Sequence, residues 1–135
     1  MTFLLDTSAL LVLYRKEPEV DRVLALFDDP QHDLLLSTVS VAEFGRKLRE
    51  LGKDREEIED TLDQFMQLFS HVVPLDEAVA KASLRSVESV PLRLPMADSL
   101  IAASALVHGA CLVHKDKHMA AIPPEVLPTL NLVQP

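Results

Sequence analysis

Three short apolar runs most constrain this chain: Phe3-Leu4-Leu5, Leu34-Leu35-Leu36 and Ala110-Cys111-Leu112-Val113, each giving way at once to polar residues. Strands with no apolar–polar alternation are buried on both faces, which requires a parallel sheet covered by helices on each side. The segments between them carry helical spacing. Val20, Val23, Leu24 and Phe27 form one stripe; Val41, Phe44, Leu48 and Leu51 form a second; Ile58, Leu62, Phe65 and Phe69 form a third. Ala9 to Tyr14 is predicted as a short helix closed by Pro18, with Thr7 or Ser8 as its cap, and Asp54 and Asp76 as the openings of later helices. Val72-Val73 is a weak strand, 88–95 with its two prolines a loop, Met96 to Val107 a helix ended by Gly109, and Leu130 to Val133 a last edge strand. The expected fold class is α/β: an α/β/α sandwich around a central, mostly parallel sheet of four or five strands, with residues 1–135 forming one domain.

Charge narrows the function classes. The formal net charge is −8, which disfavours coating nucleic acid through a broad basic face. Five Phe, one Tyr and no Trp leave little for stacking several bases. The single cysteine, Cys111, reads as a small buried hydrophobe, and no Cys/His cluster has zinc-site spacing. The apolar N-terminus lacks a basic leader, and the stretch from Leu100 to Val113 is too short to span a bilayer. A soluble, cytoplasmic protein with no membrane partner is expected.

Four carboxylates occupy equivalent places relative to the elements. Asp6 follows the first strand, Glu43 lies early in the helix after the second, Asp98 opens the 96–107 helix, and Asp116 follows the 110–113 strand. In open α/β sheets, ligands bind beyond the carboxyl ends of the strands. Each acid also has a purely structural reading. Ser40 to Glu43 fits a capping box, Asp98 suits a helix dipole, and Asp116 suits a turn. Asp98 and Asp6, however, sit among apolar residues, where an unpaired carboxylate is costly. Gathered at one rim, the four would suit a hard divalent cation, which prefers carboxylate oxygens and can activate water against a phosphodiester.

The strings Leu4-Leu5-Asp6-Thr7-Ser8-Ala9-Leu10, Val41-Ala42-Glu43-Phe44, Ala97-Asp98-Ser99-Leu100-Ile101-Ala102-Ala103 and Leu112-Val113-His114-Lys115-Asp116 resemble, in order and spacing, the four signatures of the PIN domain. Over essentially the whole chain the resemblance is to the VapC toxins of bacterial and archaeal toxin–antitoxin pairs. It implies a magnesium- or manganese-dependent endoribonuclease with Asp6, Glu43, Asp98 and Asp116 as catalytic and metal-holding residues. It also implies an RNA substrate, a cognate antitoxin whose tail enters the active-site groove, and a homodimer within a possible higher toxin–antitoxin complex. The chain departs from the family pattern where His114 stands in place of the frequent Thr, and His118-Met119 in place of a second acid followed by Phe.

Among the cations, Arg46 and Lys47 lie one turn beyond Glu43, and Lys115 and Lys117 flank Asp116, making these four the candidate RNA contacts. No histidine is assigned as a ligand; His118 reads as a surface residue or a phosphate contact when protonated. Rival readings are a PIN nuclease of RNA processing without a toxin role, a catalytically inactive PIN-fold binding domain, and, more weakly, a receiver or phosphatase domain. The last lacks the paired acid after Asp6.

Overall fold

The computed structural model describes residues 1–88 and 94–135. The chain runs β1 (Thr2–Leu5), α1 (Thr7–Arg15), α2 (Val20–Asp28), β2 (Asp33–Ser37), α3 (Thr38–Glu50), α4 (Arg55–Met66), β3 (His71–Val73), α5 (Glu77–Glu88), α6 (Met96–Val107), β4 (Cys111–His114), α7 (Lys117–Ala120) and β5 (Thr129–Asn131). Most of the predicted 88–95 loop falls on 89–93, outside the described residues. The five strands lie in the order β3-β2-β1-β4-β5, and every pairing is parallel. The sheet is therefore wholly parallel, the limiting case of the mostly parallel expectation.

Strand residues alternate between two cores. Phe3, Leu5, Leu34, Leu36 and Val113 face a cluster built with Leu10 and Val12 of α1, Val23 of α2, Phe44 and Leu48 of α3 and Ile58 of α4. Leu4, Leu35 and Leu112 face the opposite cluster, with Ile101, Ala102 and Ala105 of α6 and Met119 of α7. This is why the leucine triplets show no alternation: each side of the pleat has its own helical layer. α6 is dense in alanine because it is covered twice, by the sheet and by α5, where Val79 and Ala82 meet Ala103. Its end is set by Gly109, whose positive φ of 62° turns the chain back into β4 at no cost from a Cβ.

The elements correct the sequence reading at five places. Asp6, rather than Thr7 or Ser8, caps α1, its Oδ1 accepting the Ala9 N–H at 2.9 Å, so the helix starts at Thr7. α3 begins three residues earlier than a Ser40 cap would allow, because Ser37 accepts the Val39 N–H at 3.1 Å. The proposed capping box at Ser40 and Glu43 is thereby excluded; the box forms instead at Asp54 and Glu57 of α4. Finally, α7 is a four-residue helix that no periodicity announces, and β5 begins at Thr129 rather than Leu130.

Candidate metal centre

The chain leaves β1 towards β2 and β3, then returns on the other side of β1 to form β4 and β5. The crevice beyond the carboxyl ends of β1 and β4 is the switch point where such sheets bind ligands. Two of the sequence-predicted acids reach it directly from the strands. The Asp6 N–H donates to the Val113 carbonyl at 3.0 Å, extending the β1–β4 ladder by one residue. The Lys115 N–H donates to Ser8 Oγ at 2.8 Å, and Ser8 Oγ donates to Asp6 Oδ1 at 2.6 Å. Asp6 is buried, and with its Oδ1 taken by Ser8 and Ala9 it is fixed in orientation.

The other acids come from helices. Thr7 Oγ1 donates to Glu43 Oε1 and lies 3.2 Å from the buried Ser40 Oγ, so adjacent hydroxyls of the first turn of α1 hold two different carboxylates. Freed from the capping role, Glu43 sits close enough to Asp98 to act on its charge. Asp98, in the first turn of α6, and Asp116, the cap of α7, meet around His118. Its Nδ1 is 3.7 Å from Asp98 Oδ2 and 3.2 Å from Asp116 Oδ1. One donor atom from each of these three residues falls within 4.8 Å of the others.

Burial and crowding show in the acids' proton affinities. Burial, reinforced by the charges of Asp116 and Asp98, pushes Asp6 up to about 7 against the pull of its two hydrogen bonds. Burial, followed by Asp116 and Glu43, pushes Asp98 up to about 6, with His118 alone opposing. All four acids are thus electrostatically linked, and their mutual repulsion is the kind a divalent cation relieves. With carboxylate oxygens predominating, the donor set fits Mg²⁺ or Mn²⁺.

These shifts make a stability prediction. An acid whose native affinity for protons is raised stabilises the fold fully below its ordinary range near pH 4, and that contribution is lost as pH rises through 6 to 7. Urea unfolding in chelator is expected to show a loss on the order of a few kcal/mol from Asp6 and Asp98 between pH 4 and pH 8. Saturating Mg²⁺ at pH 8 should restore much of it. Stability that is flat or rising over that range in chelator, and indifferent to Mg²⁺, contradicts the coupled pocket.

Two histidines stand differently from their sequence reading. His118 belongs to the acidic cluster, brought there by the Asp116 cap that accepts its own N–H at 2.8 Å. An Asp-x-His step at a helix start was the only signal available. His114 is fully buried, its Nδ1 accepting the Asp116 N–H at 3.2 Å, so the ring takes the accepting role of a hydroxyl in shaping that turn. Burial holds its imidazole below the usual histidine range. Of the candidate RNA contacts, Arg46 and Lys117 are exposed, while Lys47 lies 3.6 Å from Glu50. Lys115 is engaged elsewhere: its Nζ lies 2.9 Å from Glu17 and 2.7 Å from Glu19.

The PIN domain family model matches residues 3–123. No curated protein matches the chain in sequence. Among solved structures, VapBC2 from Rickettsia felis bound to a DNA fragment from its promoter is 21% identical with a TM-score of 0.77, covering 97% of this chain and 98% of that one. A toxin–antitoxin complex from Klebsiella pneumoniae is 19% identical with a TM-score of 0.73, covering 98% and 99%. FitAcB from Neisseria gonorrhoeae is 24% identical with a TM-score of 0.69, covering 98% of each.

Proposed function

The chain belongs to the PIN domain family, and we propose that it is a divalent-metal-dependent endoribonuclease, the toxin of a type II toxin–antitoxin pair, with residues 1–135 as one nuclease domain. The observation that carries this reading is the geometry at the switch point, where donor atoms of Asp98, Asp116 and His118 lie within 4.8 Å of one another and the first turn of α1 holds Asp6 and Glu43. Likeness in fold to toxin–antitoxin complexes supports the biological role.

In this reading Asp6, Asp98 and Asp116 hold Mg²⁺ or Mn²⁺, with Glu43 completing the anionic wall. Once bound, such an ion would supply a more acidic water and offset charge on the phosphodiester. The protein's own groups do the rest. Ser8 and the α1 amide fix Asp6, and Thr7 fixes Glu43, so both carboxylates are held in orientation beforehand. His118, its Nδ1 3.2 Å from Asp116 Oδ1, would be the proton donor to a departing oxygen. Arg46, Lys47 and Lys117 are the proposed contacts to the RNA backbone.

A separate feature suits the proposed partner. Val41, Ala42, Gly45, Ile58, Leu62 and Met66 line a groove between α3 and α4, with Arg46 and Arg49 beside it. An antitoxin helix would lay an apolar face there. The protein is proposed to act as a cytoplasmic homodimer.

Purified protein with end-labelled single-stranded and stem-loop RNA tests the activity. Cleavage is expected with Mg²⁺ or Mn²⁺, leaving 5′-phosphate and 3′-hydroxyl ends, and none in excess chelator. Unchanged cleavage in chelator, or 2′,3′-cyclic phosphate products, would overturn the reading. Growth arrest on induction, relieved by co-expressing a small neighbouring gene product, tests the toxin role.

A further inference from the structure

The donor atoms gathered at the switch point include a nitrogen among the oxygens. His118 Nδ1 stands 3.2 Å from Asp116 Oδ1 and 3.7 Å from Asp98 Oδ2. Neighbouring donors on a single ion, at bond lengths of about 2.1 Å, are separated by about 3.0 Å in an octahedral shell and about 3.4 Å in a tetrahedral one. The first separation falls within that span and the second just beyond it. All three side chains are partly exposed, so an ion can reach them from solvent. The α7 cap ties the two neighbouring donors together through the backbone, since Asp116 Oδ1 accepts the His118 N–H at 2.8 Å. That bond does not use the imidazole, whose Nδ1 faces both acids.

The kind of ion matters to such a donor set. Mg²⁺ is hard, takes oxygen ligands and gives up its water reluctantly. Transition-metal dications accept an imidazole nitrogen far more readily. We propose that His118 sets the identity of the ion: Nδ1 joins Asp98 and Asp116 as a ligand to Mn²⁺, and the site thereby prefers a transition-metal dication to Mg²⁺. This deepens the metal-centre reading and rests on it. With Mg²⁺ the ring stays unbound and keeps the proton-donor role proposed above; with Mn²⁺ its Nδ1 is occupied and that role is given up. A protonated ring paired with both acids has the same two separations and makes no bond to metal. The test must therefore detect the nitrogen–metal bond itself.

Electron spin-echo envelope modulation of the Mn²⁺-loaded wild-type protein, without RNA, reads that bond. Modulation from a directly coordinated ¹⁴N is expected, and it should vanish in His118→Ala. The neighbouring His114 does not confuse the assignment, because its Nδ1 is spent on the Asp116 N–H. Calorimetry at pH 8 supplies the second measurement. His118→Ala should weaken Mn²⁺ binding at least about tenfold and leave Mg²⁺ binding nearly unchanged. His118→Asp, which restores an all-oxygen donor set, should tighten Mg²⁺ binding and abolish the preference for Mn²⁺. Both substitutions keep the α7 cap, which uses only the backbone N–H of this residue. Mn²⁺ bound without ¹⁴N modulation, or a Mn²⁺-to-Mg²⁺ preference unchanged by either substitution, overturns the proposal and leaves the metal centre standing. A wild type that binds neither ion overturns both. If His118→Ala fails to fold, the wild-type spectrum and the His118→Asp protein are read in the same way.

Discussion

Asp98→Asn is expected to cut RNA cleavage by at least about 10²-fold, since even the outer partners of metal ligands are typically worth 10- to 100-fold. The metal-free protein should remain as stable as wild type or become more so. Two opposing effects decide that sign. Asp98 lies in the first turn of α6, where a negative charge meets the helix dipole, a contribution of about 0.3–1 kcal/mol that Asn gives up. Against this, burial and the charges of Asp116 and Glu43 have pushed the carboxyl up to about 6, so its ionised form is a net cost at pH 8. That cost is on the order of 2–3 kcal/mol and exceeds the dipole contribution. The gain should fade towards pH 4, where the wild-type acid is already protonated. Denaturant unfolding of both proteins at pH 4 and pH 8, alongside cleavage rates, reads all of this. A variant destabilised at pH 8 that still cleaves normally would reduce Asp98 to a helix-end charge.

Asp6 separates its two roles by the choice of substitution. Asp6→Asn keeps an Oδ1 that can accept from Ser8 Oγ and the Ala9 N–H, so the cap on α1 survives while the buried charge is lost. Cleavage should again fall at least about 10²-fold, with stability at pH 8 held or raised. Asp6→Ala removes the charge and the cap together. At pH 5, where the wild-type acid is mostly protonated, the missing cap should cost about 0.5–2 kcal/mol relative to Asn. Comparable stability for Asn and Ala at pH 5 would mean the cap contributes little; cleavage surviving in either would remove Asp6 from the centre.

Much of the fold was legible because burial leaves a strong mark. Phe3-Leu4-Leu5 and Leu34-Leu35-Leu36 lack alternation for the reason later seen in their packing, two cores of helices on opposite faces of one sheet. Asp6 and Asp116 were legible as a pair because each directly follows a strand, and strand ends of a parallel sheet share one edge. Glu43 was harder. Ser37 and Ser40 both offer hydroxyls at a helix start, and sequence alone cannot tell which one the backbone turns around; Ser37 caps, which frees Glu43 for Thr7. α7 was invisible because four residues carry no period. Without it, nothing placed His118 between Asp98 and Asp116. The Lys115 pairing was equally hidden, since its partners come from the α1–α2 connection on the far side of the sequence.

The central claim, that the four acids make one metal-holding pocket, is tested most directly by anomalous diffraction from a crystal of the wild-type protein soaked in Mn²⁺. The account predicts a manganese peak bounded by carboxylates of Asp6, Asp98 and Asp116, with Glu43 facing it, that disappears in the Asp98→Asn protein under the same soak. Manganese bound elsewhere with this pocket empty, in a protein that cleaves RNA in the same Mn²⁺ buffer, would contradict it.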